Sequence, residues 1–156
     1  MFRGRGFTLI ELMIVIAIIA VIVAIVIPGI RRARIAANEA NAIGSLRTIS
    51  TAEIQYKNSG IDTTNSINQY GDLDALGASN PPFIDSVLGT ENAVKAGYVF
   101  GTVITVSSSI AAAEFEVTAT AQGLNYGYRN YYLNEEGNIT CVPQRDGKAE
   151  SSDTPL

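Results

Sequence analysis

The sequence predicts an α+β fold, in which one long N-terminal helix packs on a small antiparallel β-sheet. An unbroken apolar run extends from Leu12 to Ile27, and helical periodicity then continues to residue 58. From Gly97 onward the apolar residues recur with a period of two, which is typical of half-buried strands. At 156 residues, the chain has room for one globular domain beside the apolar segment.

The first part of the helix is long enough to cross a membrane. At about 1.5 Å per residue, residues 7–28 span slightly more than the ~30 Å hydrocarbon core of a bilayer. Pro28 ends the apolar run and removes a backbone hydrogen bond to Ala24, so we expect the helix to kink near Pro28. Residues 29–58 are expected to form the second half of the helix.

Glu11 is the one charged residue inside the apolar segment. A carboxylate in a membrane-spanning helix costs on the order of 2.5–3.5 kcal/mol, and such residues usually have a partner. One interpretation is that Glu11 lies near the end of the segment and reaches the interface. The other is that it pairs with a positive charge from another molecule. The nearest such charge is an α-amino group at Phe7, which exists only if the chain is cut after Gly6.

The residues Gly6-Phe7-Thr8-Leu9-Ile10-Glu11-Leu12 and the apolar run after them resemble the N-terminus of type IV prepilins and of the related type II secretion pseudopilins. The resemblance covers about the first 28 residues. It implies that residues 1–6 are a leader, which a prepilin peptidase removes after Gly6, and that Phe7 is then N-methylated. It also makes Glu11 the fifth residue of the mature chain and Pro28 the twenty-second.

Two other targeting segments are weaker explanations of this N-terminus. A secretory signal peptide has a shorter apolar core, followed by a cleavage site between small residues, and no such site precedes Pro28. A plain signal anchor would account for the apolar run, but it would not explain Gly6-Phe7 or Glu11.

The basic residues around the segment favour the opposite orientation from the one that the resemblance implies. Arg3 and Arg5 precede the apolar run, whereas Arg31, Arg32 and Arg34 follow it. Counted alone, these charges would keep the C-terminal side in the cytoplasm. The resemblance implies an inner-membrane precursor with its C-terminus outside the cytoplasm, and we expect that topology. The arginines after the run are expected to anchor at lipid headgroups or to pair with acidic surfaces of neighbouring subunits.

Composition excludes several classes of function. The net charge is −4, and loss of Arg3 and Arg5 with the leader would change it to −6, so no direct binding of nucleic acid is predicted. The chain has no histidine, which removes His-based triads and His metal sites. Cys141 is the single cysteine and cannot form an intramolecular disulfide. We predict no catalytic residue, no cofactor and no metal, and hence no enzyme.

The second half of the helix carries an apolar stripe that should face the globular domain. Glu39 and Glu53 fall inside or beside this stripe, and Asn58-Ser59-Gly60 is a stop signal. The stripe recurs at three-, four- or seven-residue intervals and consists of Ile35, Ala42, Leu46, Ile49 and Tyr56.

Residues 59–96 are rich in turn-forming residues and are predicted to connect the helix to the sheet. Short helical pieces are expected at Leu73–Leu76 and at Pro82–Leu88. Residues 143–156 show no periodic pattern and are expected to form a loose C-terminal tail.

Residues 97–142 are predicted to form a three- or four-stranded antiparallel sheet. Strong strand patterns cover residues 98–106 and 114–121, and residues 129–133 and 138–142 flank a hairpin turn at Asn134-Glu135-Glu136-Gly137. In the second of these strands, alternation places four residues toward the helix: Phe115, Val117, Ala119 and Ala121.

Together, these elements resemble a pilin-like lollipop, and the resemblance implies assembly rather than catalysis. The predicted function is that of a structural subunit of a type IV pilus, a helical homo-oligomeric fibre for adhesion, motility or DNA uptake. The implied partners are the prepilin peptidase/methyltransferase and an inner-membrane assembly platform. The alternatives are a pseudopilin of a type II secretion system and a membrane-anchored periplasmic binding domain. The chain lacks the C-terminal disulfide of many major pilins, and also the tryptophan-containing motif of the major pseudopilins.

Overall fold

The computed structural model describes residues 7–61, 70–105, 114–144 and 154–156. The chain divides into two compact units, Met1–Arg34 and Ile35–Leu156. Helix α1 runs from Leu9 to Ser59 and contributes to both units. It continues without a break through Pro28, and the kink expected there stays a prediction. Gly60 follows the helix with φ of 63°, the left-handed conformation that commonly ends a helix, so the predicted stop is confirmed.

The second part of α1 buries one face, as its periodicity predicts. All five predicted stripe residues are buried, and Leu46 and Ile49 have no exposed surface. Ser45, Ala52 and Glu53 complete the buried face. Glu53 was expected only to interrupt the stripe, and the sequence pattern did not predict its complete burial.

The sheet has six antiparallel strands, whose order across the sheet follows their order in the chain. The predicted three or four strands correspond to the four central ones, and the two outermost strands were missed. The strands are β1 (Ala93–Lys95), β2 (Tyr98–Thr105), β3 (Glu114–Ala121), β4 (Arg129–Asn134), β5 (Ile139–Pro143) and β6 (Thr154–Pro155).

The two missed strands lie in segments that were assigned differently. β1 falls in the predicted connecting region, and it is too short to show an alternating pattern. β6 falls in the predicted loose tail, where it pairs with β5 through Thr140↔Pro155 and Cys141↔Thr154. The chain end is therefore held in the sheet, in contrast to the prediction for this part of the tail. Residues 145–153 lie outside the described residues.

The core lies between the sheet and the second part of α1. The four residues of β3 that were predicted to face the helix are all buried. Tyr98, Phe100 and Leu133 from the neighbouring strands join them in one apolar cluster with Leu46 and Ile49 of α1. Burial of a large apolar side chain contributes about 1.5–3 kcal/mol, so this cluster is the main source of stability in the unit.

One of the two predicted helical pieces in the connecting region is confirmed. Helix α2 spans Leu73–Ala78, and the carboxylate of Asp72 caps it by accepting the N–H of Ala75 at 2.7 Å. The piece predicted at Pro82–Leu88 is wrong, because that segment forms turns. There the Asp85 carboxylate accepts the backbone N–H groups of Val87 and Leu88, both at 3.0 Å, which offers the backbone an alternative to a helix.

The predicted hairpin between β4 and β5 is confirmed. The N–H of Gly137 donates to the carbonyl of Asn134 at 2.9 Å, and Gly137 has φ of 80°. The Asn134 side chain also accepts the N–H of Asn138 at 3.0 Å. Glycine supplies a conformation that other residues rarely adopt, so its position fixes the register of the two strands.

Candidate functional site

The candidate site is the exposed part of α1 in the first unit. The large apolar side chains from Leu9 to Ile30 are all at least 44 % exposed. They surround the helix on every side, and among the described residues α1 is the one helix long and apolar enough to cross a membrane. A helix that is apolar all round requires an apolar environment, which a bilayer or a bundle of similar helices supplies.

Glu11 lies in the first turn of α1, where the structure gives it a partner within its own chain. Its carboxylate accepts the backbone N–H of Thr8 at 2.8 Å and the Thr8 hydroxyl at 2.7 Å. The Glu11 N–H in turn donates to the Thr8 hydroxyl oxygen at 3.3 Å. This reciprocal arrangement is a capping box, and it satisfies two backbone donors at the start of the helix.

Thr8 was not predicted as the partner of Glu11. The signal was present, because threonine followed three residues later by glutamate is a common helix start. Both of the hydrogen bonds that Thr8 donates are made to Oε2 of Glu11, so the carboxylate keeps acceptor capacity for a further donor.

The other predicted site residues lie around this helix start. Phe7 precedes α1 and is 78 % exposed. Gly6 lies outside the described residues. Pro28 lies within α1, and exposed Arg32 and Arg34 follow it. Phe7 and Glu11 are therefore close to the same helix end, whereas Pro28 is well separated from it in the chain.

Two polar residues of α1 have positioning roles that the sequence did not reveal. Asn38 donates to the carbonyl of Tyr126 at 3.1 Å, and Glu39 accepts the N–H of Tyr128 at 2.8 Å. Together they fasten the connection between β3 and β4 to the helix. Glu39 was noted only as an imperfection of the apolar stripe, and the periodicity carried no information about its partner.

No competing chemical site is found in the part of the chain that the structure describes. That part contains no group of three or more His, Cys, Asp or Glu residues that could hold a metal ion. At the β4–β5 turn, the Glu136 carboxylate accepts the side-chain amide of Asn138 at 2.8 Å. This contact and the hydrogen bond from the Asn138 N–H to the Asn134 side chain both stabilise the turn itself. Cys141 is a free, half-buried thiol.

The comparison with known families supports this location of the site. Residues 1–27 match the prokaryotic N-terminal methylation motif. No curated protein and no solved structure is significantly similar to the chain. The chain thus carries the signature of type IV pilins and pseudopilins, which is the motif of a structural subunit and not of an enzyme. The motif and the apolar helix fit a membrane-anchored precursor.

Proposed function

We propose that the chain is a structural subunit of a type IV pilus. The observation that carries the proposal is a helix that is apolar all round and begins with a methylation motif. The precursor spans the inner membrane once, with its C-terminus outside the cytoplasm. A prepilin peptidase cuts after Gly6 and methylates Phe7, and an inner-membrane assembly platform then moves the subunit into an extracellular fibre.

Glu11 sets the register of the helices during assembly. In lipid, apolar helices gain little from mutual burial, because the surrounding chains are equally apolar, so close packing and polar pairs decide how they associate. The cut after Gly6 creates an ammonium group at Phe7. The Glu11 carboxylate of one subunit pairs with the Phe7 ammonium of its neighbour. A displaced register leaves two charges buried without partners, which costs about 3–5 kcal/mol.

Mass spectrometry and electron microscopy together test the proposal. The mature protein is expected to begin with N-methylated Phe7. Sheared material from the cell surface should contain long fibres composed of this chain. A methylated protein that forms only short periplasmic assemblies would instead indicate a pseudopilin, which shares the motif. An unprocessed, monomeric protein would indicate a membrane-anchored binding domain.

Replacement of Gly6 by leucine should block processing. The residue before the cut has to fit the peptidase, and a bulky side chain is expected to prevent this. In Gly6→Leu cells, about nine-tenths or more of the protein should migrate as the larger precursor on a gel. This corresponds to a loss of about tenfold in cleavage efficiency, or roughly 1.4 kcal/mol.

Gly4→Leu is the matched control, since it adds the same side chain two residues before the cleavage site. This variant should mature normally. Equal processing of both variants would show that Gly6 does not mark the cut.

A further inference from the structure

Glu53 is a fully buried acidic residue in the second part of α1. Its relative exposure is 0 %, and it shares the buried face of the helix with Ile49 and Tyr56. Acidic side chains are almost never fully buried unless they are paired. No ion pair involving Glu53 exists among the described residues, so its burial requires another explanation.

The Glu53 carboxyl group makes one hydrogen bond, and this bond crosses to the segment that leads into α2. Its Oε2 atom accepts the N–H of Gly71 at 3.0 Å. Its Oε1 atom is buried and has no hydrogen-bond partner within the described part of the chain. Gly71 lies so close to the Tyr56 ring that an added Cβ would be 3.0 Å from a ring carbon. We call this hydrogen bond, together with the packing of Gly71 on Tyr56, the Glu53 contact.

The described charged and titratable groups around the Glu53 contact do not neutralise a carboxylate. Asp72, on the segment before α2, is a second acid, and its side chain is engaged in capping α2. The Lys57 ammonium, one turn further along α1, lies over the Tyr70 ring at 4.2 Å from its centroid. On the sheet side, Tyr70 packs against Phe115 of the apolar cluster.

These surroundings favour the neutral carboxyl group. Burial is the largest cause and raises the pKa of Glu53 from 4.5 to about 8. The negative charge of Asp72 also raises the pKa, and the hydrogen bond from Gly71 partly opposes the increase. Near neutral pH Glu53 therefore carries its proton, and Oε1 or Oε2 is a hydroxyl that needs no countercharge.

We propose that the Glu53 contact is a proton-controlled switch, in which the neutral carboxyl group holds residues 70–72 against α1 and loss of its proton releases them. An ionised Glu53 would place a charge in the core, with one oxygen unpartnered and Asp72 nearby. Movement of residues 70–72 would admit water to the ionised carboxylate and so reduce the cost of its burial. Leu73 and Leu76 remain buried in the core, so the change stays local to the connection before α2.

The direction of the pH effect follows from the two pKa values. The folded-state pKa of Glu53 lies above the value of 4.5 for an unperturbed carboxyl group. The stabilising effect of the neutral form is thus complete below pH 4.5 and is lost as the pH rises through about 8. At one pH unit above the folded-state pKa, the closed form of the contact should be about tenfold less favoured than at neutral pH.

Hydrogen exchange on the full-length protein in detergent micelles tests this inference. Protection factors, corrected for the intrinsic effect of pH on exchange, would be compared at pH 7 and pH 9 by mass spectrometry. Protection at Gly71 should fall about tenfold. The amide of Ala121, which donates to Asn130 at 2.9 Å, is the internal control and should not change.

Glu53→Gln is the decisive variant. Glutamine has the same shape and can still accept the Gly71 N–H, but it does not titrate. The pH-dependent fall in protection at Gly71 should therefore disappear, while Ala121 stays protected. Glu39→Gln is the matched control, because Glu39 also accepts a backbone N–H from another element. In this variant, protection at Gly71 should still fall as the pH rises. The inference would be overturned if protection at Gly71 still fell with pH in Glu53→Gln, or if it did not fall in the wild type. Neither outcome depends on fibre formation.

Discussion

Cells that carry Glu11→Ala are expected to assemble at least about tenfold less fibre than wild-type cells, because loss of even 1.4 kcal/mol at each subunit addition is a factor of ten in the equilibrium. In the proposed bundle, the variant would leave the ammonium group of Phe7 without its partner. Breaking a buried ion pair in this way costs about 3–5 kcal/mol. Membrane insertion and cleavage should be unaffected, so fibre in the sheared fraction is quantified against processed protein in the membrane fraction.

The capping box offers a different explanation of the same loss, and two further variants separate the explanations. Glu11→Gln keeps a residue that can accept the Thr8 N–H, but it removes the charge, so it should also lose fibres. Thr8→Val removes the capping hydroxyl and keeps the charge, so it should retain most of the fibre. Should Thr8→Val prove as defective as Glu11→Ala, helix capping and not charge pairing would be the function of Glu11.

A large effect on stability is expected at Gly127. An added Cβ at this position would overlap the hydroxyl end of Tyr98, which is fully buried and donates to the carbonyl of Arg129 at 2.9 Å. Accommodation of the methyl group requires Tyr98 to move and breaks that hydrogen bond. Overpacking of this kind costs about 1–3 kcal/mol, and a lost hydrogen bond adds about 1 kcal/mol.

Thermal unfolding of the full-length protein in detergent measures this effect. Gly127→Ala should lower the Tm by about 4–16 °C, at roughly 2–4 °C per kcal/mol for a chain of this size. Gly123→Ala lies in the same connection, but its added Cβ would meet nothing within 4 Å, so its Tm should be nearly unchanged. Tyr98→Phe should recover part of the loss in Gly127→Ala. Equal Tm values for the two alanine variants would contradict the clash.

The parts of the fold that the sequence predicted are those with a long repeating pattern. The stripe on α1 from Ile35 to Tyr56 and the alternation along β3 each extend over enough residues to reveal a buried face. The methylation motif was identified for a similar reason, since Gly6, Phe7, Glu11 and Pro28 combine in a specific spacing.

The parts that the sequence did not predict depend on contacts between distant residues. β1 and β6 are too short for a pattern and exist because a longer strand lies beside each of them. The turn at Asp85 forms because its carboxylate captures local N–H groups, and Lys95 binds that carboxylate at 2.7 Å. The burial of Glu53 follows from Gly71, which lies 18 residues away in the chain.

The sheet ends in two strands that are poor templates for pairing with another chain. β1 contributes three residues and carries Lys95, and β6 contributes two and carries Pro155, which has no N–H to donate. Open sheet edges favour aggregation between copies, and short strands, lysine and proline all suppress it. In the proposed fibre, these short edges would let neighbouring subunits pair through their helices without fusion of their sheets.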